Sequence, residues 1–187
     1  MKFEKLFKVI LEQSEAIVLL PGGFKPPHKG HFEALKFLLK KANTSSAKVF
    51  VGKKERDGIT QDQAIKIWDV YKKYLPQGVE IVGVTGSDKA GRDATPLSMT
   101  YDFIDNNKNL YKSFFVGAGE KDLARFKGLE KDKKTYPNTM IISIPPQFNR
   151  ISGTQTRKNI ITKADSALSF IPDEVKERDQ VRKILGI

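Results

Sequence analysis

Short runs of β-branched and other apolar residues alternate along this chain with longer stretches whose apolar positions recur every three or four residues. The runs lie at Ala16–Leu20, Lys48–Val51, Glu80–Val84, Ser113–Val116 and Met140–Ile144, and each is mostly apolar at consecutive positions. Strands of that kind are buried on both faces, as in a parallel sheet covered by helices. The stretches between them read as helices. Over Phe32–Lys41, Leu35, Phe37, Leu38 and Leu39 gather around one stripe. Over Gln61–Tyr74, Ala64, Ile65, Ile67, Trp68 and Tyr71 do the same, with Thr60 as N-cap. Leu97–Ile104 and Lys121–Phe126 supply two shorter helices. Thr154–Thr162 and Pro172–Leu185 read as C-terminal helices, the second opening on the acidic turn Pro172-Asp173-Glu174.

This alternation predicts the α/β class with a parallel sheet. Gly86–Thr95 and Phe126–Asn138 are polar and read as surface loops long enough to be functional. With no internal repeat and no low-complexity linker, the simplest partition is one domain over residues 1–187. It carries an amphipathic N-terminal helix over residues 1–14, free to pack on its own domain or on a neighbour, and a C-terminal helical extension over residues 165–187.

Composition narrows the picture. Apolar content of 39% and charged content of 29% fit a soluble globular chain of 187 residues. No apolar run is long enough to cross a bilayer, and the N-terminus lacks the apolar centre of a signal peptide, so the cytoplasm is the expected location and no membrane partner is expected. The absence of cysteine excludes disulfides, thiolate metal sites and cysteine nucleophiles. A formal charge of +11 points to an anionic partner: nucleotides, phosphorylated small molecules or nucleic acid all qualify. No aromatic and basic interleaving of an RNA-recognition kind is present to favour nucleic acid.

The segment Pro21-Gly22-Gly23-Phe24-Lys25-Pro26-Pro27-His28-Lys29-Gly30-His31 follows the first strand directly. Ligands of open α/β folds bind beyond the carboxyl ends of the strands, so this loop is placed for a site. Its glycines let backbone approach a phosphate, and the helix after it offers amides and a positive dipole end to an anion. His28 and His31 are the only histidines of the chain and share one face of the first helical turn. A histidine pair can also belong to a zinc site, but no third strong ligand stands near in sequence, and no protein metal ligand is assigned.

These residues resemble the G-x-F-x-P-x-H-x-G-H signature of the HxGH nucleotidylyltransferase superfamily, matched by Gly22, Phe24, Pro26, His28, Gly30 and His31. The resemblance implies that both histidines stabilise charge on the α-phosphate of a nucleoside triphosphate while an acceptor phosphate attacks and pyrophosphate leaves. It implies a Rossmann-like five-stranded parallel sheet of order 3-2-1-4-5, with helices on both faces. Gly22, Gly23, Phe24, Lys25, Lys29 and Gly30 would then line the nucleotide site. Ile151-Ser152-Gly153-Thr154-Gln155-Thr156-Arg157 opens the helix after the last strand. Hydroxyls at such a start are most often caps, but the stretch looks like the I-S-[SG]-T-x-x-R motif of the same superfamily. By that likeness Ser152, Gly153 and Thr154 would hold the outgoing phosphates, and Arg157 would add a catalytic charge-assisted contact.

Gly117, Gly119 and Asp122 after the fourth strand resemble the glycine-and-aspartate segment that lines the family's nucleoside pocket; an ordinary helix start is the competing reading. Lys53, Lys54 or Arg56 could meet the acceptor's phosphate, against the reading of a solvated basic loop, and Arg92 is a further candidate. Some relatives that use ATP carry Arg where Gly23 stands, and many carry Asp where Lys25 stands. The expected reaction is transfer of AMP from ATP to a phosphate-bearing small molecule of the nicotinamide-mononucleotide kind. CTP-dependent transfer and a non-catalytic nucleotide- or nucleic-acid-binding protein are the alternatives. Mg²⁺ is expected to be bound through the triphosphate.

Overall fold

The computed structural model describes residues 14–149, 151, 153–163 and 165–187. The helix expected over residues 1–14 therefore lies outside the described residues, save that Ser14 already belongs to the first strand. Five parallel strands form one sheet: β1 (Ser14–Gly22), β2 (Ala47–Val51), β3 (Val79–Gly83), β4 (Tyr111–Gly119) and β5 (Thr139–Ile144). Their order is β3-β2-β1-β4-β5, so the chain winds outward to one edge, returns, and winds to the other. The helices between them are α1 (Lys29–Ala42), α2 (Gln61–Lys72), α3 (Pro96–Asn107) and α4 (Lys127–Lys131), followed by α5 (Gly153–Ile161) and α6 (Arg178–Leu185).

The doubly apolar strand pattern is explained by two cores. Val18 and Leu20 of β1 face one side with Val49, Leu35, Leu38, Trp68 and Tyr71, against α1 and α2. Ile17 and Leu19 face the other with Phe50, Phe114, Val116 and Ile104, against α3. β1 is therefore covered on both faces, which fixes its register, since a slip of one residue would exchange its two apolar sets.

What positions a site is the way the central strands part. β1 pairs with β4 only as far as Leu19↔Val116, whereas it pairs with β2 to Gly22↔Val51. Beyond that point β4 runs on through Gly117, Ala118 and Gly119 paired with β5 alone. The divergence leaves a crevice at the carboxyl ends of β1 and β4, where the strand order reverses.

Two helical expectations need correction. The last helix begins at Arg178, not Pro172. Pro172 closes a turn whose carbonyl accepts the Val175 N–H, and Ile171 and Val175 are both buried. The Phe170 carbonyl accepts from Lys29 N–H at 2.7 Å, which ties the chain just before Pro172 to the start of α1. The stretch 126–138, read as loop, contains α4, which buries Leu129 completely. Residues 121–126 form a 3₁₀ turn that begins at Glu120.

Candidate active site

The loop after β1 is built around one folded-back aromatic ring. Phe24 has φ 51°, in the left-handed region, and turns its ring over Gly22. A Cβ on Gly22 would stand 2.5 Å from Phe24 Cζ, so only glycine fits beneath that ring. The ring meets Trp68 edge-on at 5.5 Å and His31 edge-on at 4.9 Å, which props the second histidine from below. Gly52 N–H donates to the Gly22 carbonyl at 2.9 Å, so the ends of β1 and β2 are tied together.

Lys25 completes that tie. Its Nζ is buried and donates to the carbonyls of Gly52 (2.6 Å) and Gly23 (3.0 Å). Burial first, and the Arg56 guanidinium second, bring its pKa down to about 8. Lys25 thus braces the loop from inside, whereas Lys29 stands half-exposed at the first position of α1. The Lys25–Pro26 peptide is cis, and Tyr71 donates its hydroxyl to the Pro27 carbonyl at 3.2 Å.

His28 is the N-cap of α1, and His31 lies one turn on. The two imidazoles stack at 3.5 Å between centroids with an 18° interplanar angle. His28 N–H donates to His31 Nδ1 at 3.2 Å. That bond assigns the proton of a neutral His31 to Nε2, leaving an N–H donor on the far side of the ring. His28 Nδ1 is buried and has no hydrogen-bond partner among the described residues. Burial lowers the His28 pKa to about 4, partly offset by a backbone hydrogen bond. Burial, with the neighbouring His28 second, holds His31 well below the ordinary imidazole range. Both rings are neutral at pH 7.

Gly30 makes room for this pair. A Cβ there would lie 1.9 Å from the Phe148 carbonyl oxygen and 3.1 Å from His28 Nδ1. The 3₁₀ turn Pro146–Asn149 therefore rests on the start of α1, and it leads the chain from β5 to the second motif. Arg157 on α5 closes the contact: its Nη1 donates to the Lys25 carbonyl at 3.2 Å, across 132 residues of sequence. Its Nη2 donates to Thr154 Oγ1 at 3.3 Å, and its Nε to the Asp57 carboxylate. Gly153 is the first residue of α5. Ser152 lies outside the described residues.

The remaining candidates are more dispersed. A Cβ on Gly117 would lie 2.3 Å from Leu38 Cδ1, so this glycine admits α1 against β4. Gly119 ends β4 at the crevice, and the Asp122 carboxylate accepts from Arg125 at 3.0 Å. Lys53 is committed to Asp93, and Arg92 to Asp88. Arg92 and Arg125 border a cavity of about 570 Å³ between the loop after β3 and the first turns of α3, floored by Leu97 and Tyr101. Pro96, at the head of α3, would meet a Cβ on Gly52 at 3.4 Å, but no residue of the first loop lines the cavity.

Two residues of this region escaped the sequence reading. Asp57, the partner of Arg157, sits in a hairpin closed by Arg56 and Ile59, with Asp57 at φ 50° and Gly58 at φ 77°. Asp-Gly is the favoured pair for such a turn, and that was the available signal. Gln61 donates to the carbonyls of both Val51 and Val84, satisfying the ends of two strands at once; nothing in the sequence marked it.

No protein-family model and no curated protein matches the sequence. Solved structures do match the fold. Plasmodium falciparum nicotinic acid mononucleotide adenylyltransferase complexed with APC superposes with a TM-score of 0.63 at 13% identity, over 92% of this chain and 98% of that one. The same enzyme complexed with NaAD gives 0.60 at 16%, over 90% and 95%. A Vibrio parahaemolyticus protein proposed to be a nicotinate-nucleotide adenylyltransferase gives 0.65 at 14%, over 91% and 99%. At these identities the likeness is one of fold.

Proposed function

We propose that the chain is a nucleotidylyltransferase of the HxGH kind, moving AMP from ATP to a phosphate-bearing small molecule such as nicotinic acid mononucleotide. The observation that carries this reading is the stacked, neutral His28–His31 pair at the mouth of the β1–β4 crevice. The second motif is joined to that loop through Arg157 and Lys25. The fold shared with nicotinic acid mononucleotide adenylyltransferase supports this choice of donor and acceptor.

In the reaction an acceptor phosphate oxygen attacks the α-phosphorus, the bond to the bridging oxygen breaks, and pyrophosphate departs. No covalent nucleophile is needed, so catalysis rests on positioning and charge stabilisation. His31 Nε2–H, fixed in direction by the His28 amide, donates to the charge that builds on the α-phosphate. A neutral donor does this without the repulsion that two stacked imidazolium rings would create. Thr154 and Arg157 face the leaving phosphates, and Gly119 and the residues after it border the nucleoside. Among the described residues no group of three or more His, Cys, Asp or Glu gathers at one point, so Mg²⁺ would be held by phosphate oxygens and water. There it would offset charge on the departing pyrophosphate. Among those residues no helix is long and apolar enough to cross a membrane, and we place the protein in the cytoplasm.

The test is pyrophosphate release with each nucleoside triphosphate against a panel of phosphorylated acceptors in Mg²⁺. Release with ATP and one acceptor is expected. Release with CTP alone would change the base and keep the chemistry, and silence combined with salt-sensitive binding to random DNA would replace the enzyme with a binding protein. His31→Ala is expected to lower turnover about a hundredfold or more while leaving the fold intact, checked by circular dichroism.

A further inference from the structure

We propose that this protein carries a second ligand site, at the end of the sheet away from the crevice, shaped for a small aromatic carboxylate. The inference stands apart from the transfer reaction and needs no nucleotide.

A cavity of about 260 Å³ lies where the loop before β5 meets the end of α3. Ile104, Phe114 and Tyr136 supply its apolar walls, Thr139 a buried polar one, and Lys108 and Lys134 are its exposed cations. Phe114 and Thr139 are register partners on β4 and β5, five residues before Gly119 and Ile144 at the crevice end. At about 3.3 Å per residue, that places the two ends of the sheet roughly 17 Å apart along these strands. Pockets for drug-sized ligands begin at about 300 Å³, so this one suits a single ring with its substituents.

Thr139 sets the first demand on a ligand. It is 1% exposed, yet its hydroxyl has no hydrogen-bond partner among the described residues. A buried hydroxyl left unpaired has lost water and gained nothing in return. The backbone of the same residue is satisfied: its N–H donates to the Tyr136 carbonyl at 3.3 Å, and its carbonyl accepts from Lys133 Nζ at 2.7 Å. Only the side chain waits for a partner.

The charges set the second demand. Neither the Lys108 nor the Lys134 ammonium has a partner among the described residues. On α3, Asp105 is committed to Lys89, so its carboxylate is offset. The carbonyls at the end of that helix are also occupied: Phe103 accepts from Asn107 Nδ2 at 2.7 Å and Asn107 from Leu110 N–H at 2.8 Å. The two free cations therefore favour an anion, while Phe114 and Tyr136 favour a flat ring against them. The walls are set before any ligand arrives. Tyr136 N–H donates to the Asp132 carbonyl at 2.9 Å, Phe114 N–H to the Asn138 carbonyl at 2.9 Å, and Tyr101 meets Tyr136 edge-on at 5.8 Å. The fitting ligand has a carboxylate for the lysines and, across the ring, a hydrogen-bonding atom for Thr139.

The test is titration of the full isotope-labelled chain with 4-hydroxybenzoate, benzoate, 4-hydroxybenzamide and inorganic phosphate, followed by amide NMR. We expect saturable shifts from 4-hydroxybenzoate at residues 104–114 and 134–139, with none at His28 or His31. Benzoate, which lacks the atom for Thr139, should bind about fivefold more weakly, the worth of one hydrogen bond. Thr139→Val keeps the side-chain shape, and should bring 4-hydroxybenzoate down to the benzoate affinity while leaving benzoate unchanged. Lys108→Ala with Lys134→Ala, both surface changes, should weaken the two carboxylates about fivefold and the uncharged amide not at all. No saturable shift up to about 10 mM overturns the proposal. So do shifts that gather at the crevice instead, an equal loss of benzoate in Thr139→Val, and phosphate reproducing the shifts while benzoate is silent. Because no nucleotide is present, failure of adenylyl transfer leaves this site standing, and failure of this site leaves adenylyl transfer untouched.

Discussion

His28 and His31 lie ring on ring with little water around His28, so each proton added to the pair costs burial and then repulsion. The consequence is a pH dependence whose sign can be worked out. An unfolded histidine titrates at about 6.5, whereas folded His28 does so at about 4. Between those values the unfolded chain takes up a proton that the folded chain refuses, so stability falls as pH drops through the window. For His28 the full loss is on the order of 3 kcal/mol; His31 is shifted the same way and adds to it. Urea unfolding between pH 7.5 and 4.5 should show wild type losing stability relative to His28→Gln as the medium acidifies, and a constant difference across the range would reject the assignment.

The helix α2 shows how an element serves the site from outside it. Thr60 Oγ1 accepts from Gln63 N–H at 3.2 Å, and Gln63 Oε1 accepts from Thr60 N–H at 2.9 Å, a reciprocal capping box. Gln63 also donates to the Ile184 carbonyl at 3.0 Å, which couples this start to α6. Thr60→Ala should cost about 1 kcal/mol in denaturant unfolding, with the Asp57–Arg157 hairpin just before it loosened. This start was legible because a cap is written in adjacent residues. The start of α6 was not: Pro172-Asp173-Glu174 has the look of a first turn, but the chain there closes a single turn, Val175 N–H to the Pro172 carbonyl, and the helix begins only at Arg178.

Across the whole molecule, a charge of +11 favours association with any anion, whereas the proposed site would favour one class of anion at one place. The two contributions can be told apart by heat. MgATP at about a hundred times its dissociation constant should stabilise the fold by about 2.7 kcal/mol, a rise of roughly 5–10 °C in Tm for a chain of this size. Sodium chloride at matched ionic strength should not reproduce that rise. A chloride effect of equal size would assign the stabilisation to general screening of the basic surface and leave the crevice without a ligand.

Taken by itself, the sequence determined the parallel α/β sheet and located the two segments, the loop after β1 and the start of α5, that meet through Arg157. A strand buried on both faces must be apolar at consecutive positions, and a turn that lays a ring over Gly22 admits no other residue there. Such constraints act between near neighbours and leave their mark in the letters. The tertiary structure decided what each motif residue touches. It turned Lys25 inward onto Gly52, set Asp57 on Arg157, and put the Arg56 guanidinium over Gly23. Each of these joins segments from different βα units. Their meeting depends on where the strands of one sheet end in space, which no local pattern records.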